Sequence, residues 1–214
     1  MAKLFLVRHL QSQWNLENRF TGWTDVPLSR QANREVKRII RQLKNKKIDV
    51  IYTSPLIRNQ ITTLKILQGL SSKKYPIFRH FKGKMKDWGN FKELNQNYWP
   101  VYVSENLNER YYGRLQGLNK AQIMKKYGKT KVQLWRRSFT VKPPGGESLK
   151  DTYQRVVPFY RKYIEKDLKK GKNVLVVASH NSLRALVKYL EQIPDQEIAQ
   201  LEIPYGGIRE YEFN

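Results

Sequence analysis

Residues 174–190 read VLVVASHNSLRALVKYL. The first five are apolar and rich in β-branched side chains, the pattern of a strand buried on both faces. Leu183, Leu186, Val187 and Leu190 then recur at i, i+3, i+4 and i+7, the spacing of an amphipathic helix. Between the two periods stand Ser179, His180 and Asn181. The stretch therefore predicts a buried strand that hands over to a helix through a polar corner.

The same unit recurs along the chain. KLFLVRH (3–9) predicts a first buried strand with Arg8 and His9 at its C-terminal end. Val36, Ile39, Ile40 and Leu43 predict a helix over 29–43 with Ser29 as N-cap. DVIYTSP (49–55) predicts a second buried strand. Its Ser54-Pro55 reads as N-cap and first turn of a helix that turns Ile57, Ile61 and Leu64 inward. Helices are expected near 119–127 and 130–138, and Ser148-x-x-Asp151 has the form of a capping box opening a long helix. IREYEF (208–213) predicts a last edge strand. Strands alternating with helices imply an α/β fold: a mainly parallel sheet flanked by helices on both faces. Residues 1–214 are expected to form one domain. SSKKYPIFRHFKGKMKDWGNFKELNQNYWP (71–100) holds no period, so about 69–104 reads as a basic, aromatic insertion.

Ligands of such sheets sit beyond the carboxyl ends of the strands. His9 and His180 both fall there, in a chain with only three histidines. Cations gather in nearby loops: Arg8, Arg58, Arg110, Lys120, Arg136 and Arg137, with Glu109 and Tyr112 among them. Asn181 opens a helix, where free backbone N–H groups attract anions. Any single arginine of so basic a chain reads as a solvated surface group. Together these residues would cage a phosphate beside a histidine and a carboxylate.

Longer blocks sharpen this. LVRHLQSQWNLENRFTGWTDVPLS (6–29), NERYYGRLQGLNKAQ (108–122), VQLWRRSF (132–139), PPGGESLKDTYQRVVPF (143–159) and NSLRALVKYLE (181–191) resemble the cofactor-dependent phosphoglycerate mutases of the histidine phosphatase superfamily. The resemblance implies a phosphohistidine at His9, charge stabilisation by Arg8 and Arg58, and Glu109 as proton carrier. It also implies a second histidine donating to the transferring phosphoryl group. Asn15, Thr21, Gly22, Arg110, Tyr112, Lys120, Arg136, Arg137 and Asn181 match substrate-binding positions. The implied cofactor is 2,3-bisphosphoglycerate, with no metal. The implied partner is a small phosphorylated metabolite.

Three departures bear on the chemistry. Leu10 stands where the family has glycine, and is expected to put bulk beside the nucleophile. The family pattern A-H-G-N-S-L-R-A-L is here A-S-H-N-S-L-R-A-L, so Ser179 takes the second histidine's place and His180 the glycine's. Either Ser179 faces the phosphate as a weaker donor, or the corner reshapes and His180 does. Family mutases carry a closing tail, and its lack after Asn214 would favour water entry. Three functions therefore remain: a mutase, with full or reduced activity; a phosphatase of the same fold; or an impaired paralogue acting as a basic binding protein.

The formal net charge is +23, from 41 Lys and Arg against 18 Asp and Glu. It admits a polyanion contact, or simply a solvated basic face. No apolar run is long enough to span a membrane, and MAKLFLVRH does not read as a signal peptide, so the cytoplasm is expected. A homo-oligomer stays open.

Overall fold

The computed structural model describes residues 1–213. Six strands form one sheet: β1 (Ala2–Arg8), β2 (Val50–Thr53), β3 (Tyr75–His80), β4 (Tyr98–Val103), β5 (Val174–Ala178) and β6 (Ile208–Phe213). Their order is β3-β4-β2-β5-β1-β6, with every pair parallel except β1 and β6. The helices are α1 (Gln13–Leu16), α2 (Ala32–Leu43), α3 (Ile57–Leu70), α4 (Lys84–Asp87), α5 (Lys120–Tyr127), α6 (Lys129–Arg137), α7 (Leu149–Phe159), α8 (Glu165–Lys169) and α9 (His180–Leu190). A π-helical stretch, Tyr160–Ile164, joins α7 to α8 just after Pro158, a residue that cannot donate to the helical ladder.

Alternation along the strands splits the core into two layers. Leu4, Leu6, Tyr52, Val174 and Val176 pack under α7, α9 and the π stretch. Phe5, Val7, Ile51, Leu175 and Val177 pack under α2 and α3. The sheet is thus covered on both faces, as its apolar strands require. A third, smaller cluster of Phe20, Leu115, Ile123, Val132 and Trp135 holds α5 and α6 to the connection before them.

Several expectations shift. Segment 69–104 is not an insertion outside the sheet, because β3 and β4 lie within it and pair in parallel. Its aromatics hid the strands: Tyr75, Pro76, Phe78 and Arg79 form a half-buried edge with no clean alternation. Only 81–97 is an excursion between the two strands. The segment 69–104 carries part of the excess charge. It contributes Lys73, Lys74, Arg79, Lys82, Lys84, Lys86 and Lys92 against Asp87 and Glu93. The N-cap of α2 is Gln31 rather than Ser29. Helix α3 starts after Leu56, and Ser54 instead accepts hydrogen bonds from the Leu56 N–H and the Asn59 amide. Its buried face is Arg58, Asn59, Thr62, Thr63, Ile66 and Leu67, while Leu64 is exposed. The apolar residues alone point to the wrong face because the first turns of α3 serve the site. The capping box of Ser148 and Asp151 is present as read.

Leu10 does not crowd the nucleophile. It is fully buried among Val7, Ile39 and Ile66, and its N–H donates to Thr62 Oγ1 (3.1 Å). Its φ is not positive, so glycine's conformational freedom is not needed there. We therefore expect Leu10→Ala to lower the unfolding free energy by about 3–5 kcal/mol in urea titration. Leu64→Ala should shift it by less than about 0.5 kcal/mol. Equal effects would contradict the placement of Leu10.

Candidate active site

Four adjacent parallel strands, β4, β2, β5 and β1, end at one edge of the sheet. His9 follows β1, Arg58 lies on the first turn of the helix after β2, His180 and Asn181 follow β5, and Glu109 follows β4. Residues far apart in sequence thus converge in a cleft of about 440 Å³. Its walls include Arg8, His9, Asn15, Thr21, Arg58, Glu109, Tyr112, Lys120, Arg136, Arg137, His180 and Asn181. This set takes in most residues singled out from sequence.

His9 is 3% exposed, and its backbone N–H donates to Ala178 O (3.1 Å), which ties the two strand ends together. Its Nδ1 lies 2.6 Å from Leu10 O. A carbonyl can only accept, so Nδ1 carries the hydrogen and Nε2 keeps its lone pair. Burial, reinforced by the charges of Arg58 and Arg8, holds its pKa well below the usual histidine value. The ring is therefore neutral near pH 7, with Nε2 a free nucleophile.

The two arginines beside it are anchored by carbonyl oxygens. Arg58 donates to Gly22 O (2.6 Å) and Thr24 O (3.0 Å), and burial lowers its pKa only to about 10. Arg8 donates to Ile203 O (2.5 Å) and stacks on the Tyr205 ring at 3.9 Å. The Nε atoms of both, and Thr21 Oγ1, are buried without a protein partner. Gly22 supports the site from behind. Its φ is +56°, and a Cβ there would meet Gln116 Oε1 at 2.1 Å. That oxygen accepts from the Trp23 N–H.

Glu109 is buried, yet its pKa lies below the usual carboxyl value. Burial opposes ionisation, and it is outweighed by His180, the Asn181 amide, the Arg110 N–H and Arg58. Asn181 Nδ2 donates to Glu109 Oε1 (2.7 Å), and the Arg110 N–H reaches the same oxygen (2.8 Å). Asn181 is itself held by Arg184 Nη1 (2.9 Å). Lys120, also in the cleft, has a pKa brought down to about 8 by burial, then by Arg136 and Arg8.

Three sequence candidates do not line the cleft. Gly22 and Arg110 act from behind it, Arg110 by donating to Arg136 O (2.7 Å) and Tyr112 Oη (3.1 Å). Ser179 is the N-cap of α9 and fully buried, and its Oγ accepts from Asn59 Nδ2 (3.1 Å). Its hydroxyl is turned to α3, whereas His180 enters the cleft. Of the two residues, the histidine lines the cleft.

Sequence reasoning missed Glu202, Pro204 and Tyr205, which also line the cleft. Glu202 Oε2 lies 2.8 Å from His180 Nε2, and its Oε1 pairs with Arg137. A signal existed. An antiparallel edge strand begins where its parallel neighbours end, and Ile208 pairs with Val7. The loop leading into β6, LEIPYGG (201–207), therefore has to lie at the site. Among the described residues, no cluster of His, Cys, Asp or Glu could hold a metal ion. No helix there is long and apolar enough to cross a membrane.

A sequence model of the histidine phosphatase superfamily (branch 1) matches residues 4–83 and 90–214. A relative from Methanococcus vannielii named 2,3-bisphosphoglycerate-dependent phosphoglycerate mutase is 48% identical, over 96% of this chain and 88% of its own. Proteins with that name from Protochlamydia amoebophila (42%, 100% and 96% covered) and Chlamydia pneumoniae (45%, 96% and 91%) are also similar. Among solved structures, a mycobacterial glucosyl-3-phosphoglycerate phosphatase has a TM-score of 0.76 at 23% identity, covering 98% of this chain and 92% of its own. The alpha-ribazole phosphatase from Shigella flexneri has a TM-score of 0.72 at 19% identity, covering 99% and 91%. These two likenesses establish the fold alone. With full-length relatives at 42–48% identity and a cleft built around His9, the chain belongs to the histidine phosphatase superfamily and, within it, to the family of the 2,3-bisphosphoglycerate-dependent phosphoglycerate mutases.

Proposed function

We propose that this protein interconverts 3-phosphoglycerate and 2-phosphoglycerate, the glycolytic step, through a phosphohistidine at His9. The observation that carries the reading is a neutral His9 with Nε2 free, flanked by Arg8 and Arg58, in a cleft also lined by Lys120, Arg136 and Arg137. Cations beyond the pair beside His9 suit a substrate with two anionic ends, a phosphate and a carboxylate. The relatives' names support the same reaction.

In the transfer, the hydroxyl oxygen of the substrate attacks phosphorus and the N–P bond at His9 breaks. Glu109, held ionised by its lowered pKa, takes the hydroxyl proton. In the return step Nε2 attacks the other phosphate, that P–O bond breaks, and Glu109 gives the proton to the departing oxygen. Arg8 and Arg58 stabilise charge on the equatorial oxygens through planar, paired N–H groups. His180 adds a donor from the start of α9. The unpartnered Nε atoms of Arg8 and Arg58 and the Thr21 hydroxyl suit the extra oxygens of 2,3-bisphosphoglycerate. Bound there, that cofactor would supply the phosphoryl group that primes the protein.

Assay of the purified protein with 3-phosphoglycerate should yield 2-phosphoglycerate, faster with added 2,3-bisphosphoglycerate. Release of inorganic phosphate as the main product would instead favour a phosphatase. No turnover under either condition would favour a binding role.

The pH profile follows from the site. His9 and Glu109 both have lowered pKa values, so their reactive, unprotonated forms persist as pH falls below 6.5. Lys120 loses its charge as pH rises through about 8. We expect kcat/KM to hold down to pH 6.5, show an acid limb only below that, and decline above about 8. Lys120→Arg should move the upper decline to higher pH. An acid limb at or above 6.5, or an upper limb unmoved in Lys120→Arg, would contradict these assignments.

A further inference from the structure

His180 enters the cleft one position later than the family's second histidine, from the first residue of α9. A side chain placed there by a helix start needs something to aim it. Among the described residues one side chain grips its ring: Glu202, whose Oε2 lies 2.8 Å from Nε2. The Ile203 N–H lies farther from the same nitrogen, at 3.4 Å. A carboxylate can only accept here, so Nε2 carries the hydrogen and Nδ1 is the ring atom open to protonation. The other nearby carboxylate, Glu109, is committed to Asn181 and the Arg110 N–H.

Glu202 is fixed at both ends. Its second oxygen is held by Arg137, itself part of the cleft wall. Its side chain is 54% exposed, and a carboxylate pairing only with Arg137 at such a site would contribute little. The partner that changes its standing is His180, whose side chain is 13% exposed. Arg8 and His9 at the end of β1, Glu109 after β4 and Tyr205 beside Glu202 line the same cleft, and Arg8 opposes a positive charge on His180. Burial outweighs Glu202, and His180 is neutral, with a pKa of about 4. An incoming anion adds negative charge that works with Glu202 and against Arg8.

We propose that Glu202 is a positioning residue for the second histidine: it fixes the Nε2–H form of His180 and aims the ring, so that when an anion fills the cleft His180 takes a proton from water at Nδ1 and becomes a charged donor. The kinetic part of this inference rests on the mutase reading; the tautomer does not. The proton returns to water when the anion leaves. Glu202 thereby compensates for the displaced position of His180.

Nitrogen NMR of the full-length protein labelled with 15N-histidine tests this, with His80, remote from the cleft, as internal reference. At pH 7 His180 should show a protonated Nε2 and a bare Nδ1, and saturating inorganic phosphate should convert it to the doubly protonated form. Glu202→Gln keeps an accepting oxygen but no charge, so the tautomer should persist and the phosphate-driven protonation should be lost. Glu202→Ala should give mixed tautomers. In the mutase assay, kcat should fall about tenfold in Glu202→Gln and further in Glu202→Ala, with KM little changed. That loss stays within the roughly 10²–10³-fold cost of removing a transition-state donor outright. A phosphate-free wild type with Nδ1 protonated, a wild type that phosphate leaves neutral, or a Glu202→Gln protein in which phosphate still protonates His180, would overturn the inference whether or not the protein proves to be a mutase. Altered NMR signals with unchanged kcat would likewise overturn the proposed role in transfer.

Discussion

Buried guanidinium groups are tolerable only where oxygen atoms surround them, and the site depends on how this chain supplies those oxygens. Arg58 is 1% exposed and takes the carbonyls of Gly22 and Thr24. Arg8 takes that of Ile203, Arg110 that of Arg136, and Arg184 those of Arg137 and Ile198. Most of these carbonyls belong to segments that line the cleft or adjoin residues that do. An isolated buried charge costs several kcal/mol, so these bonds oblige the loops to fold inward. Shaping the loops and building an anion site are therefore one event. Because carbonyls rather than carboxylates satisfy most of these arginines, their positive charge remains available to a substrate.

That field also sets the state of the nucleophile. Arg8 and Arg58, together with burial, keep His9 neutral, while the Leu10 carbonyl decides which nitrogen is free. The same cations that discourage a proton on His9 attract a phosphoryl group to it. Glu109 shows the converse: buried, yet ionised through the Asn181 amide and a backbone N–H. Nucleophile and proton carrier are each held in the working form by hydrogen bonds from residues at strand ends, without help from bulk solvent.

Much of this was legible in the sequence. Where one physical demand governs a stretch, the reading holds, as in VLVVA and in the capping box at Ser148. Where two compete, it slips. Helix α3 must bury Arg58 and Asn59 for the site and Ile66 and Leu67 for the core, so its apolar residues alone point to the wrong face. Leu10 looked like an obstacle because it replaces a glycine, but only three-dimensional packing shows it directed into the core. Strands β3 and β4 were hidden because half-buried aromatic strands carry no period. Ser179 and His180 could not be told apart, since a one-residue difference at the end of a strand decides which side chain enters the cleft. Glu202 escaped notice because it acts through a partner 22 residues earlier in the chain.

The account stands or falls on His9 Nε2 as the atom that carries phosphate. The most direct test is to incubate the protein with 2,3-bisphosphoglycerate, then locate the bound phosphate by peptide mapping at alkaline pH and identify its linkage by 31P NMR. The account predicts one acid-labile phosphate on Nε2 of His9, absent in His9→Asn and present in Glu109→Gln. Phosphate on Nδ1, on His180, or still incorporated in His9→Asn would contradict it.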